Sequence, residues 1–214
     1  MDNFGIPSLE ELRQFNVNRP DQIEAIKQSL YDNATYLAAG QTLLQFFQTP
    51  KGQSGKTLQD TNMTAAGALP APQSFLIQSI ELYMFPTEAQ ILTVGADTLA
   101  TFINNIYEVA KAGYLELFIG SKPYLDEAPL MKFPPRCGLS GFAALSDTTT
   151  AGAARRSVLN YVSVGGPTYE LQPPILLVPT QNFIVTLNWP AAVAITADMV
   201  IYCNLGGILY RNSQ

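Results

Sequence analysis

Proton transfer and metal binding at neutral pH run most often through histidine, and this 214-residue chain has none. Without an imidazole, Ser-His-Asp and Cys-His nucleophile pairs lack the base that takes the proton. Histidine-containing zinc sites are excluded for the same reason. Two cysteines, Cys137 and Cys203, are too few for a four-cysteine site and too far apart for a redox pair. They predict no disulfide framework.

Carboxylates survive this elimination, because glycoside hydrolysis needs only two facing Asp or Glu residues. Glu81, Glu108, Glu116 and Asp198 fall in segments that read as strands, with Asp126 and Glu127 in a loop. Spacing singles out no pair among them, so no catalytic residue is expected. Asp147 with Thr148, Thr149 and Thr150 offers oxygen ligands, but one carboxylate is a poor cage for calcium, which takes about six to eight oxygens. No metal site and no cofactor-binding residue is expected.

Three short motifs come close to chemistry and fail. Gly52-Gln53-Ser54-Gly55-Lys56-Thr57 ends like a phosphate-binding loop, yet Pro50 stands where the pattern needs its first glycine. Proline has no amide hydrogen to donate and a fixed φ. Gly138-Leu139-Ser140-Gly141 is one residue short of a nucleophile elbow and has no base. Arg155-Arg156 is the one pair of adjacent basic residues, and two loop arginines do not make a phosphate-binding footprint. The lone tryptophan, Trp189, ends an alternating segment before Pro190. It reads as core or interface packing, with a sugar-stacking platform as the alternative.

The charge balance narrows the partners. A net charge of −5 opposes nucleic-acid binding by the folded body, since that affinity comes mainly from Lys and Arg displacing counterions. Only 14% of residues are charged, against about 25% in ordinary soluble domains. The deficit is concentrated: residues 1–60 carry twelve charges, whereas residues 158–214 carry Glu170, Asp198 and Arg211 alone. A surface so poor in charge is expected to press against other subunits. The first residues lack the basic and apolar stretches of a signal peptide, and no apolar run reaches the roughly 18 residues of a membrane span. The expected location is the cytoplasm until assembly.

The elements that would position these residues fall into three stretches. Residues 1–48 read as a helical N-terminal arm. Ser8 and Glu11 form a capping box after Pro7, and a second helix starts at Asn18-Arg19-Pro20. Ile23, Ile26, Leu30, Ala34 and Leu37 then recur at helical spacing until Gly40. Its apolar face packs on its own domain or on a neighbour. Residues 49–73, rich in Gly, Pro and polar residues, read as an extended connector.

From residue 74 the period changes. Ser74–Phe85 alternates with one slip and reads as a long strand with a bulge. Further strand signals cover Leu99–Val109, Tyr114–Ile119, Ser157–Val164, Ile175–Val178, Phe183–Trp189 and Met199–Tyr210. Gly206-Gly207 inside the last marks a bulge or bend. Strands without intervening helices and with frequent Pro and Gly predict an antiparallel sandwich or barrel. The Pro- and Gly-bearing segment from Lys122 to Arg156 reads as a surface excursion.

Two passages resemble phage structural proteins. Thr49-Pro50-Lys51-Gly52-Gln53-Ser54 through Thr61-Asn62-Met63 and Gly67-Ala68-Leu69-Pro70 to Phe75 is similar to the arm-to-first-strand passage of those proteins. Leu171-Gln172-Pro173-Pro174-Ile175 to Pro179-Thr180-Gln181-Asn182-Phe183-Ile184-Val185-Thr186-Leu187 is similar to the late hairpin of their sandwiches. Together they cover about a third of the chain. The resemblance implies a mainly β protein, a single jelly roll of about eight strands over residues 74–214, in which two four-stranded sheets pack face to face. It implies a bacteriophage capsid protein that self-assembles as a homotrimer within a larger shell and meets other virion proteins. A capsid decoration protein or spike, or a carbohydrate- or receptor-binding module using Trp189 or the tyrosines, are the alternatives. No catalytic or binding role carries over to any residue.

Overall fold

A computed structural model describes residues 23–86, 98–133, 143–146, 156–159 and 168–212. Ten strands are described: β1 (Ile23–Tyr36), β2 (Leu43–Phe46), β3 (Ser74–Pro86), β4 (Tyr114–Ile119), β5 (Lys122–Pro129), β6 (Ala143–Ser146), β7 (Arg156–Leu159), β8 (Tyr169–Leu177), β9 (Phe183–Asn188) and β10 (Met199–Asn212). Among the described residues one α-helix, α1 (Thr98–Ala112), lies between β3 and β4. The molecule is mainly β, as expected. Two antiparallel four-stranded sheets have the orders β1-β10-β3-β8, the first sheet, and β2-β9-β4-β5, the second. Strands β6 and β7 pair with each other in a separate hairpin.

Alternation places the core between the sheets. Ile80, Leu82 and Met84 of β3 and Ile201, Cys203 and Leu205 of β10 are buried, and they share one hydrophobic cluster with Leu115 and Leu117 of β4 and Val185 and Leu187 of β9. The residues between them point outward. Such a period-two pattern is what a half-buried sheet dictates.

Several elements correct the sequence reading. Residues 23–36, expected as helix, form strand β1, which pairs with β10 over its full length from Ile23↔Asn212 to Tyr36↔Met199. The same residues fit both periods, but Leu30, Asp32 and Tyr36 are buried at strand spacing. Fourteen residues of ladder outweigh a weak helical preference. The stretch expected as an arm therefore supplies an edge strand to each sheet, β1 and β2. Residues 1–22, including the Ser8–Glu11 box, lie outside the described residues.

The second correction is Leu99–Val109, expected as a strand and found in α1. Its apolar residues recur every three or four positions, and Ile106, Val109 and Ala110 form the buried face. Aromatic and β-branched content was a poorer guide here than period. Strand β5 also occupies part of the segment read as a surface excursion. Its prolines, Pro123 and Pro129, sit near the two ends of a strand at the sheet edge, where a missing N–H does no harm.

Other expectations match. Strand β4 has the expected limits, and the expected irregularities occur as register shifts between Ile77 and Ser79 and between Gly206 and Gly207. At Gly207 an added Cβ would collide with the Leu76 carbonyl, so glycine lets these two strands approach there.

Residues 49–63 are not a loose connector. They run along the outer edge of β1 and satisfy its backbone. Asn62 accepts from the Tyr31 N–H at 3.0 Å through Oδ1 and donates to the Ser29 carbonyl at 2.7 Å through Nδ2, while the Thr61 hydroxyl donates to the Tyr31 carbonyl at 3.0 Å. An edge strand covered this way cannot recruit a foreign strand along that stretch.

Candidate functional site

The phosphate-loop-like stretch is a turn: Gly52 N–H donates to the Lys56 carbonyl at 2.8 Å, with Gly52 and Gly55 at φ +85° and +78°. Lys56 points inward. Its ammonium donates to Asp32 Oδ1 at 2.5 Å and to the Asn33 carbonyl at 2.6 Å, and Asp32 Oδ2 accepts the Phe47 N–H at 2.5 Å. Asp32 is 1% exposed. The lysine is spent on a buried carboxylate and cannot serve a phosphate. Beside this pair, Asp60 accepts from the Thr57 N–H at 2.8 Å, the Thr57 hydroxyl and the Asn33 amide. These bonds, the Thr57 backbone bond foremost, hold its carboxyl below the usual range.

The candidate carboxylates are not gathered into one site. Glu81 lies on the outer face of the first sheet, between buried Ile80 and Leu82, and Glu116 on the outer face of the second, between buried Leu115 and Leu117. The core separates them. Glu116 accepts from Asn188 at 2.7 Å. Glu108 is in α1 rather than a strand, and Asp198 accepts the Ala38 N–H at 2.7 Å. Asp126 and Glu127 fall in β5; their side chains, like Cys137, Gly138–Gly141, Asp147–Thr150 and Arg155, lie outside the described residues. Among the described residues no group of three potential ligands is placed to hold a metal ion. Cys203 is buried, and desolvation, then the nearby Asp32, pushes its thiol well up.

Trp189 is removed from any surface role. It is 3% exposed, its indole N–H donates to the Val109 carbonyl at 2.9 Å, and its ring meets Tyr36 edge-on at 4.8 Å. This is the core reading, and the sugar-stacking alternative for this residue falls with it.

The tyrosines are another matter. Register aligns Asn33, Tyr202 and Tyr83 in one row across β1, β10 and β3, and Tyr31, Asn204 and Glu81 in the next. These outward residues form a depression of about 600 Å³ lined by Tyr31, Gln59, Tyr83, Val200, Tyr202 and Asn204. A second cavity of about 470 Å³ follows along the same face, floored by the Gly206-Gly207 bulge and lined by Lys27, Ser79, Glu81 and Glu170 among others. Glu81 joins the two: Tyr83 donates to its Oε2 at 2.6 Å, Asn204 to the same oxygen at 3.1 Å, and Thr168 to Oε1 at 3.0 Å. Tyr31 is tied by its hydroxyl to the Leu58 carbonyl at 2.5 Å. The alternation of Glu81 and Tyr83, and of Tyr202 and Asn204, was visible in sequence; Tyr31 was hidden by the helical reading of its segment.

No protein-family model, curated protein or solved structure matches the chain.

Proposed function

We propose that this chain is a shell-building capsid subunit of the bacteriophage type, a single jelly roll that self-assembles through charge-poor surfaces as a trimer within a virion shell. The observation that carries the reading is the strand pairing. Among the described strands, with the β6–β7 hairpin set aside, the first pairs with the last (β1 with β10), the second with the seventh (β2 with β9), the third with the sixth (β3 with β8) and the fourth with the fifth (β4 with β5). This pairing supports a long antiparallel ribbon rolled up as a jelly roll.

Fold alone does not assign function, so the surface supplies the second support. Leu43 and Tyr114 both lie opposite Asn188 on the outer face of the second sheet. They are 47% and 38% exposed, with Met131 nearby in sequence to the paired Pro129 at 54%. Interface cores are depleted in charge and enriched in aromatics and methionine. With the edge of β1 covered at Ser29 and Tyr31 and prolines in the edge strands β5 and β8, contact through faces is favoured over strand addition.

The test is the mass and shape of the purified protein by light scattering and negative-stain microscopy. Trimers that close into shells are the expected result. A monomer that persists at high concentration refutes the reading.

A further inference from the structure

The groove on the first sheet has a chemistry that subunit packing does not require, and we infer that it binds a short neutral oligosaccharide. Three properties select this class of ligand.

The first is the pairing of aromatic faces with fixed polar groups. A sugar ring presents C–H faces, which pack on aromatic rings, and a rim of hydroxyls, which need donors and acceptors in set positions. Tyr31, Tyr83 and Tyr202 bring rings to the wider cavity, with Asn204 and Gln59 beside them. Two of the rings are held by their own hydroxyls, Tyr83 on Glu81 and Tyr31 on the Leu58 carbonyl. Rings ordered before the ligand arrives lose little entropy on binding. Both cavities, at about 600 and 470 Å³, fall within the range of ligand sites, about 300–1,000 Å³.

The second is charge. Among the described residues lining the narrower cavity, Glu81 and Glu170 are the acidic ones and Lys27 the basic one. That balance repels phosphates, sulfates and acidic sugars. Nucleic acid is disfavoured on the same ground, despite the aromatic rings that could stack bases.

The third is the backbone. The groove runs over β10 and β3, each paired with a strand on both sides. No free ladder is offered there, so an extended peptide cannot bind by strand addition. Recognition must come from side chains and from the opened floor at Gly206-Gly207. From Tyr202 to Gly206 the groove follows β10 for about 13 Å at about 3.3 Å per residue, room for more than one sugar ring.

This inference does not rest on shell formation. It is tested by applying the full-length protein to an immobilised array of neutral oligosaccharides (hexose, N-acetylhexosamine and deoxyhexose) alongside sialylated and sulfated ones. Saturable binding confined to neutral members is expected. In solution titration with the strongest array hit, Tyr202→Ala weakens binding at least about tenfold, as loss of a central aromatic anchor does, and Tyr202→Phe stays near wild type because the ring remains. If Tyr202→Ala does not fold, the exposed Gln59→Ala serves in its place, with at least about threefold weakening expected from a lost polar contact. Absence of binding to any neutral member, binding confined to anionic members, or full affinity in the folded variants would overturn the inference. So would a change of oligomeric state in Tyr202→Ala without any glycan bound, which would make this face a subunit contact.

Discussion

Replacing Lys56 with methionine tests how residues 49–63 are fastened to the sandwich. The ammonium makes two bonds, to Asp32 Oδ1 and to the Asn33 carbonyl, and its removal leaves Asp32, 1% exposed, with the Phe47 N–H as its remaining described partner. Breaking a buried pair from one side costs about 3–5 kcal/mol because the stranded charge cannot reach water. Lys56 is 20% exposed, which places the expected loss at the lower end, about 3 kcal/mol. For a chain of this size that is a fall in Tm of about 6–12 °C. Asp32→Asn should cost less, about 1–2 kcal/mol: its amide oxygen still accepts from Phe47, and the lysine can swing into solvent. The double variant should be less damaged than the sum of the two, a coupling of about 1–2 kcal/mol. Urea and thermal unfolding followed by fluorescence of Trp189, the single tryptophan, measure all four proteins. A cost under about 0.5 kcal/mol for Lys56→Met, the level of a surface pair, or a larger loss for Asp32→Asn than for Lys56→Met, would refute a buried Lys56–Asp32 fastening.

Three further outcomes are expected. Gly207→Ala drives a Cβ into the Leu76 carbonyl and should destabilise by about 1–3 kcal/mol through overpacking; an unchanged urea midpoint would contradict the bulge geometry. In a Cys137→Ser background, Cys203 should resist alkylation at pH 8 until urea unfolds the sandwich, because burial keeps the thiol protonated and inaccessible; labelling in native buffer would show otherwise. The carboxyl of Asp60 is held below its ordinary value of 3.8, so its contribution is complete above that value and fades as pH falls through the lower folded value. The stability gap between wild type and Asp60→Asn should therefore be constant from neutral pH to about 5 and narrow in stronger acid; a gap that persists unchanged at pH 2 would exclude Asp60 as its source.

The sequence by itself determined the mainly β character, the bulges and the absence of imidazole chemistry. These are local or compositional properties: alternation in β3, β4, β9 and β10 reports one buried face, and glycine pairs mark where strands must touch. Helix α1 was equally local, written in the spacing of Ile106, Val109 and Ala110, but its aromatic and β-branched residues point the other way. Strand β1 was a different matter. Its residues satisfy both periods, and the choice was made by β10, more than 160 positions away in sequence at every rung, because a ladder needs a partner that local preference cannot supply. The same long-range pairing assembled the groove. Tyr31, Tyr83 and Tyr202 come from three separate strands, and only the register of β1, β10 and β3 sets them side by side. Tertiary structure likewise decided the fate of the two most suggestive residues: Lys56, in a loop that imitates phosphate binding, turned inward to Asp32, and Trp189, the natural stacking platform, was buried on Val109 and Tyr36. Side-chain direction follows from what packs behind each residue, and that is settled when the sheets close.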